Sequence, residues 1–234
     1  MDNFLIIVAF LLPYLLGSVN FSILISKKIS GKDIRESGSG NAGATNMLRT
    51  HGKKAAIFTL LLDILKGVIA VLFGNLLMNL AYYHIVPIGA GVGLAVEEAV
   101  YESIRSQLPY YNLLAGIGVV LGHNFPLYFK FKGGKGVATS LGVIFAINWK
   151  IALIVLVFAL AIMAITRYVS LGSVMAAVIY VAVSLSYMVF AGKFTLPRLL
   201  FDLFFAALLV FRHRGNIKRL LNGTENKLGS KKEV

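Results

Sequence analysis

The sequence contains no cysteine. That excludes disulfides, thiolate metal sites and a cysteine nucleophile. Charge is scarce, with Asp, Glu, Lys and Arg making up 14% of the 234 residues, against about 25% in soluble domains. Acidic residues are scarcer still, 10 against 23 basic ones. The four histidines, His51, His84, His123 and His213, form no HExxH and no pair at helical spacing, so no metal site is expected.

What remains is hydrophobic: 58% of the chain, with a mean hydropathy of +0.80. A soluble monomer would expose far more of that surface than such proteins tolerate. Long uncharged stretches instead read as membrane-spanning helices of about 17–25 residues. Seven apolar segments are expected, at about 3–26, 55–80, 113–129, 136–149, 150–166, 168–191 and 196–211. The first has no small-x-small site followed by a soluble domain, so it reads as a retained span rather than a signal peptide. The fourth is short, and either extends through the glycine-rich stretch before it or does not cross fully. Trp149 suits an interfacial anchor.

Eighteen of the 23 cations fall in four segments: 27–54, 130–135, Arg167 and 212–232. The positive-inside rule then predicts an outside N-terminus, a cytoplasmic C-terminus and seven crossings. A net charge of +13 beside apolar spans suits anionic lipid rather than nucleic acid. The fold expected is an all-α integral membrane protein, one domain over 1–234. Segment 81–112 reads as an extracytoplasmic or re-entrant piece, with an eighth span as the alternative.

Three segments carry chemistry, and all are expected on the cytoplasmic side. Ser37–Arg49 places glycines at 38, 40 and 43 among Ser39, Asn41, Thr45, Asn46 and Arg49. Glycines allow close backbone approach and exposed N–H groups that form an anion nest. The neutral donors and Arg49 add a grip on phosphate; a flexible loop is the competing reading. In the second segment, Lys135 stands among Gly133, Gly134 and Gly136 ahead of a helix. It is not a Walker A loop, because the required spacing fails at Val137. It is either a phosphate site at a helix start or a positively charged turn. The third, from Arg212 to Glu225, is a juxtamembrane basic stretch that would ordinarily bind headgroups. His213 and Asn216, at i and i+3, share a helix face. Within the spans, Asp63 and Lys66 are spaced to pair, Asp202 has no evident local partner, and His123 reads as a helix cap or bridge. Such charges are costly in a bilayer; for Asp63 and Lys66 a structural ion pair stands beside a direct role.

Taken together, SGSGNAGATNMLR at 37–49, LLDILKG at 61–67, GHNFPLYFKFKGGKGVAT at 122–139, RYVSLGS at 167–173 and RHRGNIKRLLNGTENK at 212–227 resemble the bacterial acyl-phosphate:glycerol-3-phosphate acyltransferase family (the PlsY family). The resemblance covers nearly the whole chain except 81–112, which would then be an insertion of about thirty residues. It implies transfer of a fatty acyl group from acyl phosphate to the 1-hydroxyl of sn-glycerol 3-phosphate, giving lysophosphatidate and phosphate, in the bacterial plasma (inner) membrane. It implies no cofactor and no metal, and a soluble enzyme that supplies acyl phosphate. By the same resemblance Ser39, Asn41, Arg49, Lys135, His213 and Asn216 are the expected catalytic residues. Gly40, Gly43, Thr45, Asn46, Gly134, Gly136, Ser170 and Ser173 are expected to bind substrate. Arg49 and Lys135 are expected to clamp glycerol phosphate, and amides near Gly40 and Gly43 the acyl-phosphate end.

No histidine has Asp five positions on, and no Ser sits in a nucleophile elbow. Acyl phosphate is already activated, so direct attack by the glycerol hydroxyl is expected, without an acyl-enzyme. A transporter for organic phosphates is the rival class, although the flanking hydropathy shows no repeat of the kind such folds use.

Overall fold

A computed structural model describes residues 2–85 and 110–229, and every regular element among them is helical. Helices α1 (Asp2–Ser18) and α2 (Phe21–Ser30) form one apolar rod broken at Val19 and Asn20. Asn20 caps α2, its side chain accepting from the Ile23 amide at 3.2 Å. Gly31, left-handed at φ 70°, ends it beside Lys27 and Lys28, where cations suit the negative helix terminus.

Helix α3 (Ala44–Ile85) is interrupted at Gly52, whose φ of 83° and ψ of −176° are not helical. Residues 44–51 thus form a short helix set against the long span. Helix α4 covers 110–124, and Leu127–Phe129 adds a single 3₁₀ turn. Then follow α5 (Val137–Ile147), α6 (Trp149–Thr166), α7 (Val169–Phe190), α8 (Leu196–Arg212) and the amphipathic α9 (Arg214–Leu221).

Each of the seven expected apolar segments falls on a helix, and among the described residues four stretches are long and apolar enough to cross a bilayer. The fourth segment is only α5. Its 11 residues rise about 16 Å, half a hydrocarbon core of about 30 Å. It stops early because Asn148 takes an extended conformation, its side chain capping α6 by accepting from Lys150 and Ile151. The expected segment 81–112 is helical at its two ends, 81–85 and 110–112; its centre lies outside the described residues.

Small residues set how closely the helices approach. A Cβ on Gly17 would lie 2.1 Å from the Val119 carbonyl oxygen, and one on Gly122 2.1 Å from that of Tyr14, so α1 and α4 touch backbone to backbone. Gly67 and Gly142 do the same for α3 and α5. Close backbone contact of this kind is how membrane helices gain packing energy without a hydrophobic driving force between them. Val71, Val119, Val143, Tyr180 and Phe205 fill the centre. The outer faces carry exposed Phe4, Leu61, Leu72, Phe158 and Phe190, as lipid contact requires.

Lys66 lies at the junction of these helices with 1% of its surface exposed. Its ammonium donates to the carbonyls of Gly17 at 3.2 Å and Val19 at 3.0 Å, both freed by the break between α1 and α2. It pairs with Asp63 at 2.9 Å and donates to His123 Nδ1 at 2.9 Å. Lysine only donates, so the His123 proton sits on Nε2. The Lys66→Met variant leaves Asp63 buried without its cation and loses about 3–5 kcal/mol. A melt in detergent reads this as a clearly lower midpoint. The Lys66→Met/Asp63→Leu double variant recovers most of the loss; an unshifted midpoint for the single variant would show that the pair holds nothing together.

Candidate functional site

The chain between η1 (Ile34–Glu36) and α3 is shaped by one buried side chain. Asn46 donates to the carbonyls of Ile34 and Ser37, and its oxygen accepts from the Ser39 amide at 2.8 Å. Gly38 and Gly40 take left-handed φ values of 61° and 71°, and a Cβ on Gly38 would meet the Asn46 oxygen at 2.2 Å. This holds Ser39, Gly40 and Asn41 in a tight turn at the head of α3, with Arg49 one helical turn inward. The Arg49 guanidinium makes no hydrogen bond to the described residues.

Opposite stands the glycine-rich segment. The Gly133 and Gly134 amides donate to the Asn124 and His123 carbonyls at 3.2 Å. Arg212, at the end of α8, donates back to the Gly133 and Gly134 carbonyls, the shortest contact being 2.7 Å. Arg35 fixes the preceding turn through the Phe129 and Lys132 carbonyls while paired to Asp33 at 2.7 Å. Its guanidinium, opposed by burial too weak to reverse the effect, holds the Asp33 carboxyl below its usual range.

Between these walls Lys135 donates to Asn216 of α9. Asn216 donates in turn to Glu225 at 2.7 Å. Ser170 donates to the same Glu225 oxygen at 2.9 Å, and Arg219 reaches the other at 2.7 Å. Burial pushes the Glu225 carboxyl up, but its hydrogen bonds from Asn216, Arg219 and Ser170 outweigh that and hold it below the usual range. Glu225 therefore sits ionised at the centre of a network joining α5, α7 and α9. His213 Nδ1 lies 2.8 Å from the Leu209 carbonyl, so Nδ1 carries the proton and Nε2 is free to accept. Burial, with Lys135 nearby, lowers its pKa to about 4. At neutral pH His213 is therefore an uncharged acceptor.

Asn46, Arg49, Lys135, Ser170, Arg212, His213, Asn216 and Glu225 all face one cavity of about 920 Å³. Its polar end is lined by Ser39, Gly40, Asn41, Gly43, Thr45, Asn46 and Arg49 from the first segment, by Lys135 and Gly136 from the second, by Ser170 and Ser173 at the start of α7, and by His213 and Asn216. Gly134 is the one expected residue off the wall. It is buried against His123 and Ala42, where a Cβ would meet both at 2.3 Å. Arg212, Arg219, Glu225, Lys53, Asp63 and His123 line the cavity without having been singled out as site residues. Glu225 carried one signal, being the only acid between Asp202 and Glu233 in a basic stretch. The other end is apolar, between α3, α5, α6, α7 and α8. Ile57 (57% exposed), Leu60 (40%) and Leu160 (54%) line it while also facing outward. The cavity thus opens sideways between α3 and α6. Among the described residues no acid or histidine cluster suits a metal.

Arg49, Lys53, Lys135, Arg212 and Arg219 outnumber Asp63 and Glu225 around the polar end, which suits anionic phosphate. Lys135 presents an ammonium to this end. Burial, with Arg219, Arg49 and Arg212 adding repulsion against the attraction of Glu225, lowers its pKa to about 8. It is therefore largely charged at pH 7 and loses its charge as pH rises through 8. Binding of inorganic phosphate, followed by calorimetry from pH 7 to 10, weakens with a midpoint near 8. The Lys135→Arg variant, which stays charged, lacks that midpoint; an identical profile would assign it to another group.

Residues 7–223 match the family model described as glycerol-3-phosphate acyltransferase. A glycerol-3-phosphate acyltransferase of Clostridioides difficile (strain 630) is 43% identical over 100% of both chains. One of Thermoanaerobacter sp. (strain X514) is 41% identical over 96% of each. Among solved structures, the glycerol 3-phosphate form of PlsY, an integral membrane glycerol 3-phosphate acyltransferase, is 36% identical and superposes with a TM-score of 0.72. That match covers 97% of this chain and 95% of that one. The lysophosphatidic acid form of PlsY is 34% identical, with a TM-score of 0.69 over the same shares. Matched along its length in both sequence and fold, the chain belongs to the glycerol-3-phosphate acyltransferase family.

Proposed function

We propose that the protein transfers a fatty acyl group from acyl phosphate to the 1-hydroxyl of sn-glycerol 3-phosphate, releasing lysophosphatidate and inorganic phosphate. One observation carries the reading: a cavity cationic and rich in donors at one end, apolar at the other, and open sideways where lipid would lie. Its polar end seats the phosphates of both substrates, and its apolar end the acyl chain. Relatives solved with glycerol 3-phosphate and with lysophosphatidic acid support acceptor and product.

The glycerol O1 attacks the acyl carbonyl carbon, and the bond from that carbon to the phosphate oxygen breaks. The O1 proton passes to a phosphate oxygen, and inorganic phosphate departs. Arg49 and Lys135 hold glycerol phosphate, while the amides and hydroxyls around Ser39, Gly40 and Gly43 stabilise charge on the departing phosphate. Ser170 and Ser173 line the passage between the two ends, and His213 Nε2 orients a hydroxyl by accepting from it. His213 and Asn216 hold this geometry only while Glu225 anchors α9. Catalysis then rests on positioning and charge stabilisation.

The polar end gathers residues 39–49, 133–137, 169–173 and 212–226. These lie at one side if α1–α2, α3, α4, α6, α7 and α8 each cross once and the short α5 carries the chain from the polar end to the far-side start of α6. The positive-inside rule then supports a site on the cytoplasmic face of the bacterial plasma membrane, the N-terminus outside and the C-terminus within. Acyl phosphate then comes from a soluble cytoplasmic enzyme, and the product begins phospholipid synthesis.

The test uses purified protein in lipid vesicles with acyl phosphate and glycerol 3-phosphate. Phosphate release requires both substrates and matches lysophosphatidate formed. Arg49→Ala and Lys135→Ala each lower kcat/KM by about 10²–10³-fold with unchanged melting, as loss of a charge-stabilising donor does. Uptake of glycerol 3-phosphate without turnover would establish the transporter instead.

A further inference from the structure

The apolar end of the cavity has a floor, built differently from its walls. On α7 the lining residues descend from Ser170 through Ser173 and Ala177 to Tyr180 and stop there. On α6 the last is Val155 and on α8 it is Phe205. One turn further, Ile151, Ala152, Phe201 and Ser184 are buried, the first three in one apolar cluster, and the helices close. Tyr180 is 2% exposed. Its hydroxyl donates to Asp202 of α8, which also accepts from Ser184 at 2.5 Å and from Arg198 at 2.9 Å. A buried carboxylate with three donors is an expensive device to keep inside a bilayer, and here it clamps one aromatic ring across the end of a cavity.

We infer that Tyr180, held by Asp202, is the gauge that sets which acyl-chain lengths the enzyme accepts. This rests on the acyltransferase reading. From Ser170 to Tyr180 the α7 wall descends roughly 15 Å at 1.5 Å per residue. Carbon–carbon bonds of about 1.5 Å at tetrahedral angles advance about 1.25 Å per methylene, so about twelve methylenes fit above the ring. A longer chain must turn out through the opening beside Leu60 and Leu160 and leaves its end in lipid rather than in the fitted pocket. Phe205, whose ring stacks on Phe201 at a centroid distance of 4.3 Å, completes the stop beside it. Ala177, one turn above Tyr180, lines the cavity with the smallest side chain that has a Cβ, and so leaves the passage open to the floor.

The test is the kcat/KM profile of the full-length protein in lipid vesicles over acyl phosphates of ten to eighteen carbons at fixed glycerol 3-phosphate. Each methylene that gains or loses a fitted pocket changes kcat/KM by about tenfold or more. The unmodified protein peaks near fourteen carbons. Tyr180→Ala moves the maximum longer by two to four carbons and raises the eighteen-to-fourteen-carbon ratio at least about tenfold. Ala177→Leu moves the maximum shorter and needs no gap in the core, so it decides the matter if Tyr180→Ala fails to fold. Tyr180→Phe keeps the ring but loses the hydrogen bond to Asp202, so it moves the maximum by less than Tyr180→Ala, while KM for glycerol 3-phosphate stays constant throughout. Turnover with an unmoved maximum in Tyr180→Ala and Ala177→Leu overturns the gauge, as does a shift in Tyr180→Phe equal to that in Tyr180→Ala. Absence of turnover by the unmodified protein at every length overturns the acyltransferase reading beneath it.

Discussion

An ammonium buried among apolar helices stays only where several acceptors converge on it, and Lys66 has four around it: Asp63, His123 and the carbonyls of Gly17 and Val19. Those carbonyls are available because the first apolar rod breaks before Asn20. The lysine therefore joins three parts of the chain that are remote in sequence. Its consequence reaches the site through His123, whose carbonyl accepts from the Gly134 amide and whose ring packs against that glycine. The segment that presents Lys135 thus rests on a cation–carboxylate pair deep in the bundle. Phe21, with its ring 5.6 Å from the ammonium, adds a further favourable contact.

At the other end of Lys135 the arrangement is reversed, with one buried acid collecting cations and donors. Glu225 draws in Asn216, Ser170 and Arg219 and so folds the segment after α8 back over the cavity. Without it the polar end would be a set of mutually repelling arginines and lysines. With it they are spaced around the polar end of the cavity. His213, kept neutral by burial, adds an acceptor to a site made mostly of donors. Chemistry on an already activated acyl donor needs little more than such positioning.

The first motif was legible because glycine, asparagine and arginine at that spacing have few other uses, and the turn held by Asn46 shows why each glycine is there. The Asp63–Lys66 pair was legible from its i, i+3 spacing. Its other partners were not, since the Gly17 and Val19 carbonyls become acceptors only when a break forms 47 residues or more away in sequence. Asp202 was read as having no evident local partner, yet Arg198 lies four residues before it on the same helix face. That pairing was available from spacing, and only Tyr180 and Ser184 required the fold. Glu225 was hidden by its neighbours: in a basic tail a lone acid looks like dilution of charge, and its role appears only when α7 and α9 meet. The structural part played by Gly134 was hidden for the same reason, because nothing in a Gly-Gly pair says that both amides bond backbone carbonyls and both carbonyls accept from Arg212.

The central claim is that the acyl group passes straight from phosphate to glycerol, with no residue of the protein holding it in between. The most direct measurement is exchange of radiolabelled inorganic phosphate into acyl phosphate by the purified protein with no glycerol 3-phosphate present. Direct transfer predicts no exchange above the uncatalysed rate, because the acyl–phosphate bond breaks only when the glycerol hydroxyl attacks. Exchange at a rate comparable to turnover would mean that an acyl-enzyme forms, and would contradict the account.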